Sequence, residues 1–547
     1  MPVSPAASSL GASILGGQAK RLTAGLISSL LVALPLPSAA AQQLQLQLDG
    51  LELSVDLTEL EAWSQDPERS GGDLRVWLSL LDPTSREGLV RLLQAPLLEK
   101  RSFGLQLLSS WTGERILDQV GALITTADGR STGALLQSTL RQVLRDQNSV
   151  TALELLKAVP TRQLVLRLDA LLSLAQQWPG QIALQRDALS GLQWLNLPRL
   201  GRHPAPVPDG HSPSPRRLML KVVHRSTPLA VEVWPSQRSG SSPWVLLMPG
   251  LGGDPDQLGW LAAALADRGW PVVVLEHPGS DAKAMQASLD GKRPPPGAES
   301  LPDRLADLQA VLSAGSRGEL GRFGPGQTGE EGVVLMGHSL GALTALLGAG
   351  LKPEDGLERR CRRALERLPL TNPSQLLQCQ IQEVPELARL TSRSRRTPVT
   401  AVVGFNSFGA LLWPRAGLKP LRIPVMLVGG SLDLITPAIN EQLRPFTRVS
   451  DPRSRLVLIQ GASHFSPVRI PEQNQAVFQL GEDLVGVEPR RVQNLLLNLT
   501  VDFLLSLEQP QRLSPQERSQ EGIRAWVLDR RRARDLLGWL PRDPDQP

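Results

Sequence analysis

The chain has 547 residues, 41% hydrophobic and 20% charged, enough apolar content to bury cores in two or three domains; disorder is not the default. A formal net charge of +5 is small for this length, and no basic module interleaved with aromatics occurs, so nucleic acid is not an expected partner.

At the N-terminus, Lys20 and Arg21 precede an apolar run from Leu22 to Leu36 and the small residues Ala39-Ala40-Ala41. Basic residues, a short apolar core and an A-x-A end predict a signal peptide over 1–41; the run is short for a bilayer span. The expected destination is therefore exported: periplasmic, thylakoid-lumenal or secreted. From 44 to 185 the text is rich in Leu, Gln and Arg. Leucines at three- and four-residue spacing predict helices over Thr58–Ser64, Leu74–Leu81, Ser85–Leu93, Phe103–Ser110, Gly113–Leu123, Gly133–Arg145, Val150–Ala158 and Leu164–Gln177. One short strand, Leu51–Val55, precedes them. This is a mainly helical N-terminal domain, with Trp63, Trp77 and Trp111 as core residues and no catalytic constellation. A Pro-rich linker, 186–215, contains His203 and His211, a setting in which histidines are usually solvated.

From 216 to 508 strands and helices alternate. Leu218–His224 and Ala230–Pro235 predict an opening hairpin, and Trp244–Met248, Pro271–Leu275, Gly332–Met336, Val399–Phe405, Pro424–Gly429 and Arg455–Ile459 the strands that follow. Helices over Leu301–Ala314 and Val492–Leu507 complete an α/β domain with a mostly parallel sheet and helices on both faces. An insertion, 352–398, holds both cysteines, Cys361 and Cys379, and is expected to cover the site as a lid. Oxidising conditions favour a bridge between the two cysteines, with a pair of free thiols as the alternative. Its arginines at Arg359, Arg360, Arg362, Arg363 and Arg367 lie beside Leu357, Leu365 and Leu368. Such a strip suits peripheral contact with an anionic membrane surface, or an ordinary helix packed on the core. The tail, 509–547, reads as an Arg-rich amphipathic helix from Ser514 onward.

Within the α/β region, Gly337-His338-Ser339-Leu340-Gly341 lies between an apolar strand and a helix-forming run. That context makes G-x-S-x-G a nucleophile elbow, with Gly337 and Gly341 allowing close approach and Ser339 as nucleophile. A serine nucleophile needs a base and a carboxylate to orient it, in the chain order serine, acid, histidine. His464 is the one histidine after Ser339 and follows a strand. Asp433 ends the Gly429-Gly430-Ser431-Leu432-Asp433 loop at a strand's carboxyl end, where ligand sites of open sheets lie. Asp433 could instead be a helix N-cap before Thr436-Pro437. Oxyanion donors are expected from the backbone N–H of Leu340 and of Leu251 in Gly250-Leu251-Gly252-Gly253. His277 reads as a structural or pocket-rim residue and His338 as elbow packing. No H-E-x-x-H, clustered Cys/His spacing, dinucleotide fingerprint or phosphate loop is present, so no metal and no cofactor is expected.

With these residues in place the chain resembles a cyanobacterial family. Its members join a helical N-terminal domain of unknown function to a hydrolase similar to platelet-activating-factor acetylhydrolase and dienelactone hydrolase. The resemblance is carried by Gly250-Leu251-Gly252, Glu276-His277-Pro278-Gly279-Ser280, the Ser339 elbow, Leu376-Leu377-Gln378-Cys379, Gly430-Ser431-Leu432-Asp433, Glu441-Gln442-Leu443-Arg444-Pro445-Phe446 and His464-Phe465-Ser466. It implies hydrolysis of carboxylic esters, with acyl esters of lipids or phospholipids as substrates and Ser339, Asp433 and His464 as nucleophile, acid and base. Pro249 departs from the family pattern, which commonly has a histidine before the glycine. The alternatives are a thioesterase, an amidase or dienelactone-type hydrolase, and a non-catalytic binding protein on a hydrolase scaffold.

Overall fold

The computed structural model describes residues 40–541 apart from 68–71, 80–81, 201–213, 237–242, 324–330, 367, 385–396 and 470–485. The predicted signal peptide therefore lies outside the described residues except for Ala40 and Ala41, as do His203, His211, Arg367 and residues 385–396 of the insertion.

In the N-terminal domain the predicted helices form at or near their expected places, for example Trp111–Leu123 and Gly133–Asp146. They do not make a helices-only bundle. Strands β1 (Gln43–Leu48) and β2 (Leu51–Asp56) form a hairpin, and β1 pairs in parallel with β6 (Gln163–Arg167), which carries β4 (Ile124–Thr126) on its other edge. A second ladder pairs β3 (Pro96–Leu98) with β5 (Val150–Thr151). The β1–β2 turn is Asp49-Gly50, with φ of 48° and 83°, the pair of positive angles that a two-residue hairpin requires. Leucine spacing predicts a helix over Leu164–Gln177; its first residues are instead β6, and the helix begins at Leu168. Leu164, expected at the start of a helix face, is a strand residue buried in the domain's core.

The α/β domain is built on a ten-stranded sheet. Its centre is parallel: β10 (Val272–Leu275), β9 (Trp244–Met248), β11 (Val333–His338), β12 (Val399–Phe405), β13 (Val425–Gly430) and β14 (Arg455–Ile459) lie side by side. The expected opening hairpin, β7 (Arg216–Leu220) with β8 (Leu229–Trp234), extends one edge in antiparallel sense. Alternation along each central strand sends Leu246, Leu335, Val402 and Leu427 to one core and Val245, Val334, Val403 and Val428 to the other. Both faces are thus covered.

Two boundaries differ from those read in the sequence. The helix Gln177–Trp194 runs through the start of the predicted linker, and its Ala188 and Leu192 belong to the α/β core. The tail is not a single helix. After a short 3-10 turn at Pro510–Leu513, β15 (Gln516–Gln520) and β16 (Ile523–Leu528) form a hairpin that adds to β14, and among the described residues of the tail the α-helix is Arg530–Trp539. Glu521-Gly522 makes the turn at φ of 50° and 82°. A tail that completes the sheet should be indispensable. Trp526 is 1% exposed, so Trp526→Ala should cost about 3–5 kcal/mol, read as a lower urea midpoint.

Candidate functional site

Strand β11 delivers the chain to Ser339 at φ 51° and ψ −119°, and the helix Leu340–Gly348 begins at the next residue. A non-glycine residue at positive φ is strained, and here the neighbours enforce it. The Ser339 N–H donates to Phe405 O at 2.9 Å, continuing the β11–β12 ladder. A Cβ on Gly337 would lie 2.3 Å from the Gly341 carbonyl carbon, and one on Gly341 2.2 Å from Met248 O. Only glycines permit this approach of strand, helix and the loop after β9.

His464 and Asp433 meet beside the elbow. His464 Nδ1 lies 3.1 Å from Asp433 Oδ2 and 3.2 Å from Oδ1. Asp433 is buried and accepts from the N–H of Ile435 (2.9 Å) and Thr436 (2.8 Å), Thr436 Oγ1 (2.6 Å) and Asn406 Nδ2 (2.6 Å). Burial pushes its carboxyl upward, but His464 and the Thr436 donors outweigh this and hold it below its ordinary value. The capping bonds foreseen as an alternative role thus coexist with the contact to His464. Asn406 and Thr436 are site residues that the sequence reading missed. Asn406 stands at the carboxyl end of β12 with φ 49°, and that position was the available signal. No hydrogen bond joins Ser339 Oγ to His464 among the described residues; such contacts commonly tighten only when substrate binds.

His338 Nε2 donates to His464 O at 2.8 Å, and the two rings pack 4.9 Å apart. His464 is thereby fixed next to the strand that carries Ser339. On the other side, Gly252, at φ 70°, donates its N–H to Ser280 O at 2.8 Å and shapes the loop that carries Leu251. The N–H groups of Leu251 and Leu340 form no hydrogen bond among the described residues and are free to serve a ligand. His277 is buried with Nδ1 3.0 Å from Asp307 Oδ2, away from His464's partners, in a structural role. Among the described residues no group of three or more His, Cys, Asp or Glu side chains could hold a metal ion.

The described part of the insertion, up to 384, is tied down by a disulfide and by hydrogen bonds to the α/β domain. Cys361 and Cys379 are joined by a disulfide, Cα–Cα 5.4 Å. Buried Glu441 accepts from Asn372 Nδ2 (2.7 Å) and Gln378 Nε2 (3.1 Å) of the insertion, and from the N–H of Gly409 and Ala410. Arg360 is not part of a free basic strip: it donates to the carbonyls of Leu411, Asp355 and Glu354. Leu357 packs against the α/β core, while Arg359, Arg362 and Arg363 are exposed.

A ten-stranded, mostly parallel sheet with a serine on a strained turn at the carboxyl end of a central strand defines the α/β-hydrolase class. Comparison with protein families agrees. Residues 245–480 match the model described as an alpha/beta hydrolase family, and residues 40–167 one described as an alpha/beta hydrolase of unknown function. The α/β domain is therefore an alpha/beta-hydrolase domain, which suggests hydrolase activity. The second match ends at the last residue of β6, where the N-terminal sheet is complete. Among curated proteins the chain has no match.

The buried histidines add to the acid sensitivity of the fold. Burial pushes His338 down to about 3, helped by the neighbouring His464, and His277 down to about 4, helped by Arg304. A histidine neutral in the fold but titrating near 6.5 when unfolded lets the unfolded chain bind more protons below pH 6.5. Stability is then fully present above about 6.5 and lost as pH falls toward 4 and 3. Melting temperature should drop through that window, and His338→Gln should flatten the drop relative to the parent at equal salt.

Proposed function

We propose that the protein is an exported serine hydrolase that cleaves carboxylic esters through an acyl-enzyme. The observation that carries this reading is the His464–Asp433 contact at 3.1 Å, set against the strained Ser339 elbow by the His338 bond to His464. In the proposed reaction His464 accepts the Ser339 hydroxyl proton as Oγ attacks the ester carbonyl. Asp433 holds the imidazole and balances its positive charge, while the Leu251 and Leu340 N–H groups receive the carbonyl oxygen as it becomes anionic. His464 then returns the proton to the departing alcohol. Water, activated by the same imidazole, releases the acid and frees Ser339.

The resemblance to platelet-activating-factor acetylhydrolase and dienelactone hydrolase supports ester substrates, with acyl esters of lipids or phospholipids as the proposed class. The Cys361–Cys379 bridge and the N-terminal signal-like run support export. Cleavage of 4-nitrophenyl acyl esters tests the reaction, and a fluorophosphonate with peptide mapping tests the nucleophile. Ser339→Ala, His464→Ala and Asp433→Asn should each lower kcat by about a thousandfold or more, and combinations should cost little beyond the worst single change. A chain that neither cleaves esters nor takes the label at Ser339 would be a binding protein on a hydrolase scaffold. Faster turnover of thioesters or amides than of matched esters would move the assignment to those substrates.

A further inference from the structure

Arg304 lies on the helix Leu301–Ser316 and is 1% exposed, yet its guanidinium reaches three separate segments. One Nη donates to Pro249 O, at the start of the loop that carries Leu251. The other donates to Ser280 Oγ at 2.8 Å, and the Ser280 carbonyl in turn accepts the Gly252 N–H that closes the same loop. Nε donates to Thr344 Oγ1 at 3.3 Å, and that hydroxyl donates to Leu340 O at 2.7 Å. One side chain thus touches the frames of both backbone N–H groups assigned to the oxyanion.

We propose that Arg304 is the positioning residue of the oxyanion hole, setting the separation and aim of the Leu251 and Leu340 N–H groups without itself touching substrate. The inference rests on the serine-hydrolase reading above. Three features single out this role from ordinary core filling. The loop from Pro249 to Gly252 has two glycines and no regular structure, so something outside it must hold its peptides in place. A buried guanidinium is costly to desolvate, and a leucine would suit the apolar stripe of Leu301, Leu305 and Leu308 better. Finally, its planar fork presents donors in fixed directions, which a lysine cannot copy. Burial pushes Arg304 down to about 9 against the opposing pull of Asp307 and Asp281, leaving it a cation at neutral pH.

The discriminating variant is Arg304→Lys, which retains the charge and loses the fork. Wild type and variant are compared for kcat and KM on a short 4-nitrophenyl ester, for melting temperature, and for inhibition by a trifluoromethyl ketone. The ketone's adduct with Ser339 places an oxyanion in the hole. We expect kcat to fall about tenfold to a hundredfold, KM to stay within about twofold, and ketone affinity to fall in step with kcat/KM. Thr344→Val removes one relay, keeps the charge, and should show the same pattern more weakly. A folded Arg304→Lys enzyme with kcat and ketone affinity within about twofold of wild type overturns the proposal, as does a loss confined to KM. If Arg304→Lys does not fold, Thr344→Val decides the matter by the same limits. Wild type that takes no fluorophosphonate at Ser339 would sink the hydrolase reading itself, an outcome distinct from an active wild type with an indifferent Arg304.

Discussion

The conformation of Ser339 is the constraint on which the site depends. A positive φ at a serine costs on the order of 1–3 kcal/mol and persists only where the surroundings over-determine it. Here β12 takes its N–H, and the contacts at Gly337 and Gly341 leave the strand–helix junction no room to relax. The same closeness brings the first turn of the helix against Met248 and Pro249. Strain at one residue and convergence of the loops around it therefore have one cause: backbone packed on backbone where no side chain fits.

The loops at the carboxyl edge of the sheet would be mobile if left to their sequences, which are rich in glycine and serine. Each is tied by a buried polar group. Asp433 collects the loop after β13 and, through Asn406, the one after β12. Glu441 joins the insertion to the segment Gly409-Ala410, and Gln442 reaches the carbonyl of Ser407. Asp307 accepts from Arg225, His224 and His277, fixing the turn after β10. Burying a charge is unfavourable unless every oxygen is satisfied. These three carboxylates are satisfied almost wholly by loop groups, so an unmade loop leaves a buried charge unpaired. The arrangement penalises disorder at the edge where Ser339, Asp433 and His464 stand.

Much of this was legible in the sequence, for physical reasons that also mark where reading stops. Central strands such as Val399–Phe405 and Arg455–Ile459 are continuous apolar runs because both faces are buried, and their bounds coincide with the structure. Ser339, Asp433 and His464 stand out by order and by their places after strands. The N-terminal sheet was harder. β6 is five residues inside a leucine-rich stretch, where a strand and a helix face look alike, yet the alternating Gln43–Leu48 run and Asp49-Gly50 did carry a hairpin signal. β15 is Gln-Glu-Arg-Ser-Gln, polar enough to read as helix surface, and its place depends on pairing with β16 and on Arg518 meeting Asp502 at 2.6 Å. Asn406 and Arg304 meet partners far away in the chain, and Thr436 gains its place from the contact its near neighbour Asp433 makes with His464. Arg304 could have been noticed only as a cation inside the apolar stripe of its helix.

The N-terminal domain gains a physical role from where it touches the hydrolase. The described residues from Ala40 onward cluster as one compact unit. Gln106 donates to Gly291 O at 3.2 Å and Gln119 to Leu365 O, so the domain grips both the loop beyond the His277 turn and the disulfide-bearing insertion. At Gly291, φ 71°, an added Cβ would lie 2.1 Å from that of Ser102, a contact as tight as those at the elbow. The helix Gln177–Trp194 then runs beside Gly430 and Ser431, lining a small void at the foot of the Asp433 loop. Ser339 itself is only 8% exposed. The N-terminal domain and the helix that follows it thus hold three segments of the α/β domain: the loop at Gly291, the insertion at Leu365 and the foot of the Asp433 loop.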